Sequence, residues 1–194
     1  MKKIQYTNLR IYKTVLQWRQ KALGPLAHYL ANHGVTALQV TLFRLLLAIP
    51  LFFMVGEWPL WACLLILFNF FLDSLDGVIA RIQNKASLKG RVLDLCTDNF
   101  YIVPFILGLI WTNSLQPFWG AVYLVNMLLN YFMNYLRFGI EVGKFPFSFS
   151  KYFFYAALLF YAIWLINVFD LLLIFWAVFL LVDNIFLAYK LYRS

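Results

Sequence analysis

The chain has 194 residues, of which 64% are hydrophobic, 21% aromatic and only 12% charged. This balance excludes an ordinary soluble domain, and the length holds a handful of membrane spans with no separate soluble unit. The net charge of +8 calls for no nucleic-acid partner, because the basic residues track one membrane face. Cys63 and Cys96 fall in apolar stretches and suggest no disulfide framework. The N-terminus lacks the apolar core and small residues of a cleaved signal peptide.

Residues 1–34 form a first, cytoplasmic segment. Leu9, Tyr12, Leu16, Leu23, Leu26 and Leu30 recur at helical spacing, with Lys2, Lys3, Arg10, Lys13, Arg19 and Lys21 between them. This predicts an amphipathic juxtamembrane helix on the anionic leaflet; a purely topogenic basic tail is the alternative. Gly24-Pro25 is expected to break or kink the helix. Residues 35–194 then read as an all-α, polytopic domain of six transmembrane helices, near 37–55, 60–81, 90–112, 118–140, 151–166 and 171–190. No internal repeat or low-complexity tract interrupts them.

Charge predicts the orientation. All sixteen Lys and Arg fall on one side of the six-span scheme: the first segment, Arg44, Arg81 to Arg91, Arg137 to Lys151, and the tail. The opposite loops hold Glu57 and Asp170. By the positive-inside rule both termini and the 82–89 loop face the cytoplasm. The expected location is the cytoplasmic membrane of a prokaryote.

The second span ends in DSLDGVIAR, and eight residues later comes GRVLDLCTD, so the pattern is D-x-x-D-G-x-x-A-R-x8-G-x-x-x-D-x-x-x-D. Half of the chain's eight acidic residues lie in it, where a bilayer makes them costly unless they have a partner or a purpose. Asp73 and Asp76 share one helix face, and Gly90, Asp94 and Asp98 form a single stripe. An antiparallel hairpin about residues 82–89 would bring the four carboxylates to similar depth. They would not all remain ionised there without cations. Two Mg²⁺, or Mn²⁺ in their place, would balance them and also engage a substrate phosphate. Gly77, Ala80 and Gly90 leave room for a nucleotide against the backbone, and Arg81 offers a fixed charge for a phosphate. The duller reading is a helix–helix clamp, with the carboxylates paired to nearby Lys or Arg.

At these residues the chain resembles the CDP-alcohol phosphatidyltransferase family, matching every fixed position of its signature. The resemblance implies that Asp73, Asp76, Asp94 and Asp98 ligate two metals, with Asp94 bridging, and that Asp98 is also the general base. It implies that Gly77, Arg81 and Ser87 touch the CDP part of CDP-diacylglycerol, whose phosphatidyl group passes to an alcohol with release of CMP. Homodimers are common in the family, and its CDP-lipid is used at the cytoplasmic face. At the first span, Thr41 is matched and assigned to the lipid pyrophosphate, whereas Ala37 and Leu38 replace a usual Pro-Asn step. Arg137 and Lys151 resemble the cations of relatives whose acceptor carries a phosphate, which makes glycerol 3-phosphate the first acceptor to consider. Leu95 and Asn99, however, replace the Pro and Lys common in those enzymes. Serine, inositol or another unphosphorylated alcohol stays open, and topogenic charge is the duller account of the two cations.

Other polar residues have plainer readings. Arg44 is expected to snorkel to the cytoplasmic interface rather than serve substrate. Asp183 and Asn184 read as a polar helix–helix contact rather than a proton relay. His28 and His33 have no metal role, and the abundant Phe, Trp and Tyr read as lipid-facing or interfacial. Two rivals remain: a UbiA-like prenyltransferase, whose motif lacks Gly77, Ala80-Arg81 and Gly90, and a non-enzymatic transporter, whose acids should line a pathway.

Overall fold

In the computed structural model the described residues are 9–83, 97, 100–138 and 150–192, with side chains described for 18–83, 97, 100–133 and 152–192. They form eight helices: α1 (Leu9–Asn32), α2 (Ala37–Leu46), α3 (Ala48–Glu57), α4 (Pro59–Ile82), α5 (Ile102–Trp111), α6 (Pro117–Phe138), α7 (Ser150–Trp164) and α8 (Phe169–Tyr192). There is no strand among the described residues. Three apolar stretches are long enough to cross a bilayer, namely α2 with α3, α4, and α8; α5 and α7 are shorter apolar helices.

The expected break at Gly24-Pro25 is not found, because α1 runs unbroken through Pro25. Proline forfeits one backbone bond, but burial of Ala27 with Leu23 and Leu30 against Leu72, Leu75, Val78 and Ile79 of α4 offsets that loss. A left-handed Gly34 (φ +81°) then turns the chain, and Thr36 opens α2 with a capping box. Its hydroxyl accepts from the Gln39 amide (3.3 Å) while the Thr36 amide donates to Gln39 Oε1 (2.8 Å). The first span is interrupted at Leu47. Pro50 has no N–H to give the Leu46 carbonyl, and its ring crowds that carbonyl.

Two parallel helix pairs shape the bundle. A Cβ on Gly108 of α5 would strike the Phe52 carbonyl of α3, and one on Gly56 would strike the Thr112 side chain. Small residues thus let the two backbones close up, as is common between membrane helices. On the other side, α6 and α8 are joined by a polar ladder. Asn130 Nδ2 donates to Asp183 Oδ2 (2.8 Å) and Asn184 Oδ1 (2.9 Å), and Asn184 Nδ2 donates to the Asn126 carbonyl (3.0 Å). The polar helix–helix contact expected for Asp183 and Asn184 is therefore present. The loops join at one end, where the Gln116 amide donates to Asp170 (2.8 Å) and Asn167 to the Ser114 carbonyl (2.7 Å). Asp76 lies seventeen residues into α4 from that end, about 25 Å along a helix.

Candidate active site

Helix α4 has two working faces. Leu72, Leu75, Val78 and Ile79 are buried against α1 and α2, which fixes the rotation of the helix. Asn69, Asp73, Asp76 and Ala80 recur every third or fourth residue on another stripe, with Gly77 beside them. The antiparallel α2 lays Thr41 and Arg44, one turn apart, against this stripe.

Arg44 does not snorkel. Its side chain is fully buried, and its guanidinium faces α4. Nη2 meets Asp73 Oδ1 at 2.8 Å, Nη1 meets Asp76 Oδ2 at 2.9 Å, and Nε donates to Asn69 Oδ1 at 3.3 Å. The earlier expectation fails because Arg44 lies in the last turn of a short α2 that packs on α4. Two carboxylates within reach hold a guanidinium more strongly than the distant interface does. The Thr41 hydroxyl is 3.0 Å from Asp76 Oδ2 and 3.1 Å from the Ala37 carbonyl. The clamp reading of Asp73 and Asp76 is thus realised in part, with Arg44 as the cation. Asp73 is 23% exposed and Asp76 only 6%, so Asp73 stands at the open side of the cluster.

Further along α4, Arg81 Nη1 is buried with no hydrogen-bond partner among the described residues. A buried guanidinium donor left unmatched costs free energy, and an anion would satisfy it. Among the described residues, a Cβ built on Gly77 would meet Arg81 Nη2 alone, at 3.6 Å, so no other described side chain crowds the backbone there. An open apolar groove of about 500 Å³ lies between α2, α3 and α5, lined by Leu45, Leu46, Ile49, Phe52, Val103 and Leu107 among others.

The remaining expected residues fall elsewhere. Ser87, Gly90, Asp94 and Asp98 lie outside the described residues. Arg137 and Lys151 lie in α6 and α7, and their side chains lie outside the described residues. Among the described residues no three His, Cys, Asp or Glu side chains converge as a metal site. Asp73 and Asp76 do fit a hard divalent cation as part of a ligand set, since they put carboxylate oxygens from adjacent turns on one face. Asn69 went unnoticed in the sequence, although its i, i+4, i+7 spacing with Asp73 and Asp76 marks it.

An all-helical bundle with an acidic, arginine-bridged cluster inside apolar helices belongs to the class of integral membrane proteins. The sequence matches the CDP-alcohol phosphatidyltransferase family over residues 35–187, and the chain belongs to that family. A curated relative is the CMP-forming cardiolipin synthase of Streptomyces coelicolor, 38% identical over 65 residues, covering 34% of this chain and 30% of that protein. The chain therefore spans less than a third of that relative's length. No solved structure matches.

Proposed function

We propose that this chain transfers the phosphatidyl group of CDP-diacylglycerol to the hydroxyl of a polar acceptor and releases CMP. The observation that carries this reading is the convergence of Asp73, Asp76 and Arg44 on the helix that bears the first half of the signature, with Arg81 Nη1 buried further along it and without a hydrogen-bond partner among the described residues. The family is generally divalent-metal dependent. Arg44 offsets one of the four carboxylate charges of the signature, so the other three call for further cations. Asp73 and Asp76, with Asp94 and Asp98, would hold two Mg²⁺ or Mn²⁺, which when bound supply charge neutralisation at a pyrophosphate.

The residues divide the work. Arg81 donates Nη1 to a phosphate oxygen, and Gly77 with Ala80 lets the nucleotide approach the α4 backbone. The open apolar groove between α2, α3 and α5 suits an acyl chain. Asp98 accepts the proton of the acceptor hydroxyl as its oxygen forms a bond to the phosphorus bearing diacylglycerol. The bond from that phosphorus to the CMP oxygen breaks, and CMP leaves. Arg137 and Lys151 hold a phosphate on the acceptor, which favours glycerol 3-phosphate.

A second reading keeps the chemistry and changes the acceptor. The relative's name describes a cardiolipin synthase, which favours a lipid-borne alcohol over a free one. The proposed setting is a six-span fold with the cluster and both termini at the cytoplasmic face. A homodimer is proposed by family resemblance, and a monomeric mass across mild detergents and nanodiscs would refute it.

The test is to incubate purified protein with CDP-diacylglycerol and Mg²⁺, add glycerol 3-phosphate, glycerol, serine, inositol or phosphatidylglycerol, and measure CMP. Metal-dependent CMP release with one acceptor is expected. Release undiminished in excess EDTA, or in Asp73→Asn and Asp76→Asn, would refute the reading.

A further inference from the structure

Arg44 is a full positive charge lodged between two residues proposed as metal ligands, and neither the sequence pattern nor the phosphatidyl transfer gives it a task. Among the described contacts of its guanidinium, Asn69 Oδ1 meets Nε, Asp73 Oδ1 meets Nη2 and Asp76 Oδ2 meets Nη1, all from one helix. Thr41, one turn earlier on α2, adds its hydroxyl to the Asp76 oxygen that Arg44 engages. The side chain is 0% exposed, so water does not screen this charge, and any cation brought to Asp73 or Asp76 feels it at short range.

We propose that Arg44 is a built-in competitor for the metal, a resident counter-ion that holds Asp73 and Asp76 in register and sets how tightly divalent cations bind there. The proposal rests on the metal-dependent reading above. In the metal-free protein two carboxylates sit in an apolar helix pair, where an unpaired charge is strongly disfavoured. Arg44 supplies a cationic partner to both. A divalent ion arriving at the same oxygens must share or displace two charge-assisted hydrogen bonds and also meets a like charge that stays nearby. Both effects weaken metal binding relative to a site without the arginine. The two charge-assisted hydrogen bonds also stabilise the fold when metal is absent. Arg44 and the metal are therefore antagonists on one pair of ligands, which keeps binding reversible and lets the site persist after metal loss.

The experiment measures the coupling directly. Wild type, Arg44→Gln and Arg44→Lys are purified in detergent or nanodiscs. Mn²⁺ affinity is read from the free-Mn²⁺ electron paramagnetic resonance signal, without substrate, and Tm is measured in EDTA and in saturating Mn²⁺. Arg44→Gln is expected to bind Mn²⁺ at least tenfold more tightly than wild type. Its Tm should fall in EDTA, and its Tm gain on adding Mn²⁺ should exceed that of wild type. Arg44→Lys keeps the charge but loses the two-pronged fork, so its affinity should lie between the two; it decides the matter if Arg44→Gln does not fold. Unchanged or weaker Mn²⁺ binding, or an equal Tm loss with and without Mn²⁺, would overturn the proposal and leave Arg44 as a packing clamp. Wild type that binds no Mn²⁺, or binding undiminished in Asp73→Asn and Asp76→Asn, would instead bring down the metal reading itself, and this inference with it.

Discussion

Replacing Gly77 with alanine separates the role of the site from the stability of the fold. Gly77 lies mid-helix in α4, where glycine is the poorer helix former by about 0.8–1 kcal/mol relative to alanine. The added methyl would sit 3.6 Å from Arg81 Nη2, with no closer atom among the described residues, which is an ordinary van der Waals distance. Gly77→Ala should therefore be accommodated, with a Tm equal to or slightly above that of wild type. On the proposed reading the same methyl would stand where the nucleotide approaches the α4 backbone. A lost close approach to the backbone should raise the apparent KM for CDP-diacylglycerol about tenfold or more, corresponding to roughly 1.4 kcal/mol of binding. The assay pairs CMP release across a CDP-lipid titration with thermal unfolding of the same preparation. Wild-type kinetics in a well-folded variant would refute the placement of nucleotide at Gly77, and a large loss of Tm would refute the stability argument.

Asp98→Asn is expected to lose turnover while retaining CDP-lipid binding, as checked by single-turnover CMP release and an equilibrium binding assay; turnover like that of wild type would remove Asp98 as the base. Arg137→Ala and Lys151→Ala should each raise the KM for a phosphorylated acceptor roughly ten- to a hundredfold, the effect of losing about 1.5–3 kcal/mol of a charged hydrogen bond. Their KM for CDP-diacylglycerol should hold, whereas lower expression with unchanged kinetics would mark both cations as topogenic. Asn184→Ala removes the centre of the ladder between α6 and α8 and should cost about 1–2 kcal/mol by denaturant titration in mixed micelles. Its KM for CDP-diacylglycerol should not change, because the ladder lies away from α4.

Much of this arrangement is legible in the chain before any coordinates. The apolar stretches predict the helices, and the gap left between the expected spans 90–112 and 118–140 matches the turn between α5 and α6, where Asn113 takes a left-handed conformation (φ +55°). The spacing of Asp73 and Asp76 correctly puts them on one face. Arg44 departs from the snorkelling expectation because a neighbouring helix brings two carboxylates within hydrogen-bond reach. Contacts between helices are not periodic in the sequence, so nothing along α2 announces that α4 crosses it there. Two signals were nevertheless present: the Thr36–Gln39 capping box, which places the start of α2, and Asn69 on the aspartate stripe. The continuity of α1 through Pro25 is likewise invisible locally, since the offset comes from burial against residues of α4 almost fifty positions further along the chain. The Asn126–Asn130 half of the ladder is harder still, because single asparagines in an apolar run do not name their partners.

The interruption at Leu47 gives the first span a joint, and the joint sorts its residues by what their loss would do. The segment after it, from Ala48 to Glu57, is bolted to α5 where Gly108 admits the Phe52 carbonyl; bulk added there pries the bundle apart. The segment before it carries Thr41 and Arg44 and meets α4 partly through ionic and hydrogen-bonded contacts, which can be retuned one atom at a time. On the proposed reading, variation before the joint should therefore appear as altered affinity for divalent ions, and variation after it as protein that never assembles.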